Sequence, residues 1–190
     1  MNTKNIVIFA SGSGSNAENI AKYFKNSTCV KIKAIFCNKT DAYVLQRAKN
    51  MNIDSFLFNK EDFYNSEKVL NKLREIKPDL IVLAGFLWLI PKNIINEFTN
   101  RIINIHPALL PKYGGKGMYG DNVHKAVFEN KESKTGITIH FVNEKYDDGD
   151  IIFQAETLID DKDTPESIAE KVHKLEYKFY TKIIEKLLNL

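Results

Sequence analysis

The first half of the chain alternates short apolar runs with amphipathic stretches. Asn5–Ala10 reads as a buried strand, and Asn16–Lys25 as a helix with Ala17, Ile20, Ala21 and Phe24 at helical spacing. Val30–Phe36 predicts a second strand. Asp41–Asn50 predicts a helix capped by Thr40 or Asp41. Ile53–Phe58 is a short strand, and Lys60–Ile76 reads as helical. Asp79–Ala84 is a strongly apolar strand after Pro78. Pro91 opens a short helix, as proline can at a first turn, and Arg101–Ile105 is a further strand.

Such an alternation implies a parallel sheet covered by helices on both faces. The second half changes character. Gly114–Gly120 is glycine-rich and is followed by a helix near Asn122–Glu129. Lys134–Val142 and Asp150–Leu158 are β-rich, and the turn Asp147-Asp148-Gly149 between them makes an antiparallel pair. The chain closes with a helix over Pro165–Leu188, whose apolar stripe is Ile168, Val172, Leu175, Phe179, Ile183 and Leu187. Its lysines, interleaved with Glu170, Glu176 and Glu185, read as a solvated surface. The expected fold is therefore α/β: a Rossmann-like open sheet, mostly parallel, with an antiparallel portion from the C-terminal half and helices on both faces.

Composition narrows the function. Of the 190 residues 44% are hydrophobic and 27% charged, with a net charge of +3. That balance is too mild to argue for a nucleic-acid partner; a small anionic substrate is compatible with it but not demanded by it. The apolar run Ile6–Ala10 is too short for a signal sequence or a membrane span. Asp79–Ile90 is interrupted by Gly85 and stops at Pro91. The expectation is a cytoplasmic protein with no membrane partner. Cys29 and Cys37 flank one strand, roughly 26 Å apart at an extended rise, and cannot bridge within the chain. No histidine or cysteine spacing resembles a zinc site, so no metal is expected.

Two places carry candidate chemistry. Ser11-Gly12-Ser13-Gly14-Ser15-Asn16 joins the first strand to the first helix. Glycines let the backbone approach a ligand, and the free N–H groups of a helix start suit a phosphate. A plain capped turn is the alternative. The stretch also fits a permissive dinucleotide fingerprint, Gly12-x-Gly14-x-x-Ala17. That reading needs an acid at the end of the second strand, where Asn38 and Lys39 stand instead. The second place is Asn104-Ile105-His106-Pro107. Asn104 and His106 project from one face of a strand end, where open parallel sheets bind ligands. An amide can donate to an oxyanion and an imidazole can handle a proton, which together serve acyl transfer. Standing alone, the pair is equally a capping Asn and a structural His.

The neighbours extend the pattern. Asn104-Ile105-His106-Pro107-Ala108-Leu109-Leu110-Pro111, with the Asp147-x-Gly149 turn, closely resembles the signature of folate-dependent formyltransferases. Gly12-Ser13-Gly14-Ser15-Asn16 and Leu83-Ala84-Gly85-Phe86 resemble the branch that formylates glycinamide ribonucleotide. The likeness runs from about Asn5 to Leu187. It implies one domain over residues 1–190, with a phosphate-binding half at 1–100 and a catalytic and folate-binding half at 101–190. It implies that 10-formyltetrahydrofolate is the co-substrate and that the chain works on small molecules as a monomer or homodimer.

The resemblance also implies roles. Asn104, His106 and Asp147 would be catalytic. Gly14, Ser15 and Asn16 would hold the substrate phosphate, and Glu176 and His173 the ribose. Lys60, Leu87, Trp88, Leu89, Ile90 and Asn143 would contact the folate, together with Asn104 and Asp147. His140 and Thr138 match polar positions near the catalytic group. From the residues alone, Glu176 reads as a surface helix carboxylate and Trp88 serves equally as core. Three features depart from the commoner family pattern: Leu87-Trp88 in place of Met-Arg, Lys60 in place of Arg, and a longer loop over residues 113–120. A sugar-nucleotide formyltransferase shares the catalytic core, and a non-catalytic nucleotide-binding module would leave the three polar residues unexplained.

Overall fold

The computed structural model describes residues 3–190; Met1 and Asn2 lie outside them. The strands are β1 (Lys4–Ala10), β2 (Val30–Cys37), β3 (Asp54–Leu57), β4 (Leu80–Leu83), β5 (Ile102–His106), β6 (Lys134–Phe141) and β7 (Ile151–Leu158). The helices are α1 (Ser15–Phe24), α2 (Tyr43–Asn50), α3 (Lys68–Ile76), α4 (Lys92–Glu97), α5 (Asp121–Glu129) and α6 (Pro165–Leu187). The strands form one sheet in the order β3-β2-β1-β4-β5-β6-β7. β1 to β5 run parallel, and β5-β6 and β6-β7 are antiparallel. The chain steps outward from β1 to β3, then returns to β4 on the other side of β1. The reversal opens a crevice at the carboxyl ends of β1 and β4, the place where such sheets bind ligands.

Residues of β1 alternate between two cores, as the two-residue period of a strand requires. Ile6, Ile8 and Ala10 pack with Ile20 of α1 and Val172 and Tyr180 of α6. Val7 and Phe9 face the other way, against Leu70 and Leu73 of α3 and Ile94 of α4. In that second core Phe9 stands 4.8 Å from Phe36 and 5.2 Å from Phe86, centroid to centroid. Apolar burial on both faces explains why β1 reads as an unbroken hydrophobic run.

The structure departs from the sequence reading in four places. The segment predicted as one helix over Lys60–Ile76 is a short π-helical turn, Glu61–Asn65, then extended backbone at Ser66, then α3. Local side chains break it. The Asn59 and Asp62 side chains each accept from the other's backbone N–H, and the Ser66 hydroxyl donates to the Asp62 carbonyl. α2 begins at Tyr43 without a side-chain cap from Thr40 or Asp41. Instead the Val44 N–H donates to the carbonyl of Gly12, 3.1 Å away in the serine-glycine turn. Pro91 is the cap of α4 rather than its first residue.

The buried residues of α6 are Ile168, Val172, Glu176, Tyr180, Thr181, Ile183 and Ile184, while Leu175, Phe179 and Leu187 are only half-buried. The interior face is thus rotated from the purely apolar stripe, and it takes in a carboxylate. Both cysteines are free, and the Leu110–Pro111 bond is cis. Among the described residues, no helix is long and apolar enough to cross a membrane.

Candidate functional site

A cleft of about 600 Å³ follows the carboxyl rim of the sheet. One end is the serine-glycine turn. Gly14 caps α1 in the left-handed region, φ 74, and no side chain caps the helix. A Cβ at Gly14 would stand 2.3 Å from Cγ2 of Val44, so both the backbone angle and the neighbouring helix demand glycine there. The turn is stitched on three sides. Arg47 Nε donates to the Ser13 carbonyl at 2.9 Å while its guanidinium pairs with Glu18. The Ser11 N–H donates to the Gly85 carbonyl, and the Ser11 hydroxyl accepts from the Leu87 N–H. A tethered loop thus lines the cleft with Ser13, Ser15 and Asn16 at the uncapped start of α1.

Near the middle of the rim the chain gathers polar side chains from β5, β6 and the loop before β7. Antiparallel register sets Asn104 opposite His140 and His106 opposite Thr138. The Asn104 amide donates to Nε2 of His140 at 3.1 Å and to Oδ1 of Asp147 at 3.3 Å. Nδ1–H of His140 donates to the Phe141 carbonyl at 2.8 Å, which leaves Nε2 as the acceptor. Nε2–H of His106 donates to the Tyr113 carbonyl at 2.7 Å, and Nδ1 faces Oδ2 of Asp147 at 3.5 Å. Asp147 comes from a left-handed position, φ 52. Its turn is anchored by Gly149, where a Cβ would collide with the Phe141 carbonyl at 1.8 Å. The Thr138 hydroxyl donates to the Ala108 carbonyl and accepts from the Leu110 N–H, holding the segment after His106.

Burial pushes the pKa of His106 below its ordinary value, against the opposing pull of Asp147. Burial opposes ionisation of Asp147, yet the neighbouring His140 and His106 rings and the Gly115 amide outweigh it and hold its pKa below the usual range. The centre is therefore a carboxylate beside an imidazole that resists taking a full charge. Among the described residues no group of three or more His, Cys, Asp or Glu side chains gathers as a metal site.

Glu176 departs from the surface position its sequence suggests. It is 6% exposed, lines the cleft and accepts from the Asn16 amide at 2.9 Å. Burial raises its pKa, with Asn16 and His173 pulling the other way. Nδ1 of His173 lies 3.8 Å from the same carboxylate.

The formyl transferase family pattern matches residues 4–184. The chain belongs to the formyl transferase family. A phosphoribosylglycinamide formyltransferase of Bacillus subtilis is 37% identical over 98% of this chain and 96% of its own length. A chloroplastic phosphoribosylglycinamide formyltransferase of Arabidopsis thaliana is 38% identical over 95% of this chain, which spans 64% of that longer relative. The crystal structure of the phosphoribosylglycinamide formyltransferase of Anaplasma phagocytophilum superposes with a TM-score of 0.88 at 31% identity, over 99% of this chain and 88% of that one.

In this formyl transferase the residues expected to meet the folate are spread more widely. Leu87, Asn104 and Asp147 line the cleft together with Gly14, Ser15, Asn16, Glu176 and His173. Lys60, Trp88, Leu89, Ile90 and Asn143 do not. Ile90 is buried in the second core, and Trp88 packs half-buried against it. The Lys60 ammonium sits 6.0 Å from the Trp88 ring centroid. The Tyr64 hydroxyl donates to the Leu89 carbonyl. Asn143 is turned onto Asp148 and the Lys145 N–H within its own loop.

Sequence reasoning passed over His124. This residue is 3% exposed and lines the cleft. Its only sequence signal is a histidine set between Val123 and Val127 on the buried face of α5.

Proposed function

We propose that this formyl transferase moves the formyl group of 10-formyltetrahydrofolate to the amine of glycinamide ribonucleotide, releasing tetrahydrofolate and formylglycinamide ribonucleotide in purine biosynthesis. The observation that carries the reading is the meeting of Asn104, His106 and Asp147, distant in sequence, at the rim of the cleft that ends in the serine-glycine turn. The turn would hold the ribonucleotide phosphate on the α1 N-terminus, with Gly14, Ser15 and Asn16 nearest. Glu176 and His173 would take the ribose. The formyl folate would enter from the Leu87–Ile90 side, with Lys60 toward its acidic tail and residues 143–147 beside its ring. Residues 1–100 then serve as the phosphate-binding half and 101–190 as the catalytic and folate half of one domain. We place the reaction in the cytoplasm.

Chemically, the transfer breaks one carbon–nitrogen bond and makes another. The amine attacks the formyl carbon, the carbonyl oxygen gains negative charge, and a proton must pass from the amine to the departing folate nitrogen. The Asn104 amide is the donor for that oxygen, and a preorganised donor of this kind lowers the barrier by stabilising charge only as it develops. Both of its N–H bonds are engaged by His140 and Asp147 in the ligand-free site, so it exchanges one of them for the substrate oxygen. Because the Tyr113 carbonyl occupies Nε2 of His106, the proton passes through Nδ1. That atom faces Asp147, and the carboxylate holds the ring through the transfer.

A direct assay with purified protein, formyl folate and glycinamide ribonucleotide tests the reading. Formylation of the ribonucleotide amine is the expected result. Formylation of an amino-sugar nucleotide in its place would transfer the same chemistry to another substrate and overturn the assignment.

A further inference from the structure

The wall beside Glu176 holds two polar atoms with nothing to bond. Nδ1 of His124 and Oδ1 of Asn16 are shielded from solvent and lack hydrogen-bond partners. Buried polar atoms are paired in the great majority of cases, and one left unpaired destabilises the fold. Both residues line the cleft. The His124 ring lies 6.5 Å from that of His173, which approaches Glu176. His124 thus stands beside the wall that the proposed function gives to the sugar, and the Asn16 side chain, bonded to Glu176, joins that wall to the phosphate turn.

The chemistry of the two atoms selects a ligand group. Oδ1 of an amide only accepts, so it needs a donor. Burial, with repulsion from His173 and His106 and against the pull of Asp121, lowers the pKa of His124 to about 4. At neutral pH the ring thus carries one N–H and one lone pair. A neutral imidazole beside an amide oxygen and a carboxyl group is a poor place for a phosphate. It suits hydroxyl groups, which donate and accept at once.

We infer that His124 is a specificity-determining residue that hydrogen-bonds a ribose hydroxyl of the ribonucleotide, alongside Asn16 and Glu176. The inference rests on the proposed function and adds a residue from α5, the helix that follows the glycine-rich loop. It gives that helix a part in choosing the substrate.

The test compares wild type, His124→Leu and His124→Gln on glycinamide ribonucleotide and on its 2′-deoxy and 3′-deoxy analogues. Wild type should prefer the ribonucleotide over one deoxy analogue by ~10-fold in kcat/KM, the size of one neutral hydrogen bond. His124→Leu should raise the ribonucleotide KM by a similar factor, bring that preference close to unity, and leave the KM for formyl folate unchanged. Gln, which keeps a donor and an acceptor, should recover most of both losses. Undiminished discrimination in an active His124→Leu enzyme would overturn the inference. So would equal loss for both substrates without recovery by Gln, which marks a packing role. No transfer by wild type would instead remove the functional reading, and this inference with it.

Discussion

At the serine-glycine end of the cleft the binding surface is mostly backbone, whereas at the β5 end it is made of side chains. Gly14 cannot carry a Cβ, and the Arg47 side chain and the Val44 and Gly85 backbone fasten the turn through bonds to its main chain. Asn104, His106, His140 and Asp147 hold one another in place, with the Tyr113 and Phe141 carbonyls fixing each ring. Backbone sites fail through sterics, because one added atom displaces the chain. Side-chain sites fail through chemistry, because an isosteric change leaves the shape intact. The two ends should therefore respond to different substitutions in different kinetic constants.

The largest effect should come from Asp147→Asn. It keeps the volume and removes the charge, and general acid–base help of this kind is worth ~10²–10⁴-fold in rate. kcat should fall by that range while calorimetry still shows both substrates binding; wild-type turnover would remove Asp147 from the chemistry. Gly14→Val should act on binding instead. Ribonucleotide affinity should drop far more than folate affinity, and a clash of this kind lowers stability by ~1–3 kcal/mol. The control is Gly12→Ala, where an added Cβ meets nothing within 4 Å. Equal damage from both would mean that the turn is not held as described.

Smaller effects sharpen the contrast. Glu176→Gln should raise the ribonucleotide KM by ~10-fold with little change in kcat; a fall in kcat alone would link this carboxylate to the proton path. The depressed pKa of His124 predicts an acid-sensitive fold. Its ordinary value is 6.5 and its folded value about 4, so the unfolded chain binds the proton first. The stabilisation is whole above pH 6.5 and drains away as pH falls toward 4. Thermal unfolding across that interval should show a decline that His124→Leu flattens. Lys60→Ala should change only the folate KM, by ~2-fold, as expected for an exposed cation.

What the sequence made legible was whatever obeyed a local rule. A glycine-rich turn between an apolar run and an amphipathic helix could only sit at a strand-to-helix corner. Two polar residues spaced by one apolar residue, with proline following, could only share a face at a strand end. Less legible were features decided by remote neighbours. Glu176 reads as a surface residue because its helical neighbours Tyr177 and Lys174 are exposed, and only docking α6 against α1 buries it beside Asn16. The missing cap of α2 follows from a Gly12 carbonyl more than thirty residues earlier in the chain. The break at Ser66 was local but went unread, because helical periodicity outweighed the Asn59–Asp62 pairing that competes with it.

The span from Tyr113 to His124 ties two tasks to one length of chain. Its first carbonyl sets the ring of His106, and its last residue stands in the wall beside His173. Between them Gly115, Gly117 and Gly120 turn through positive φ angles. A deletion or insertion in this stretch would shift reactivity and sugar selection together, whereas a change of length in an ordinary surface loop would disturb neither.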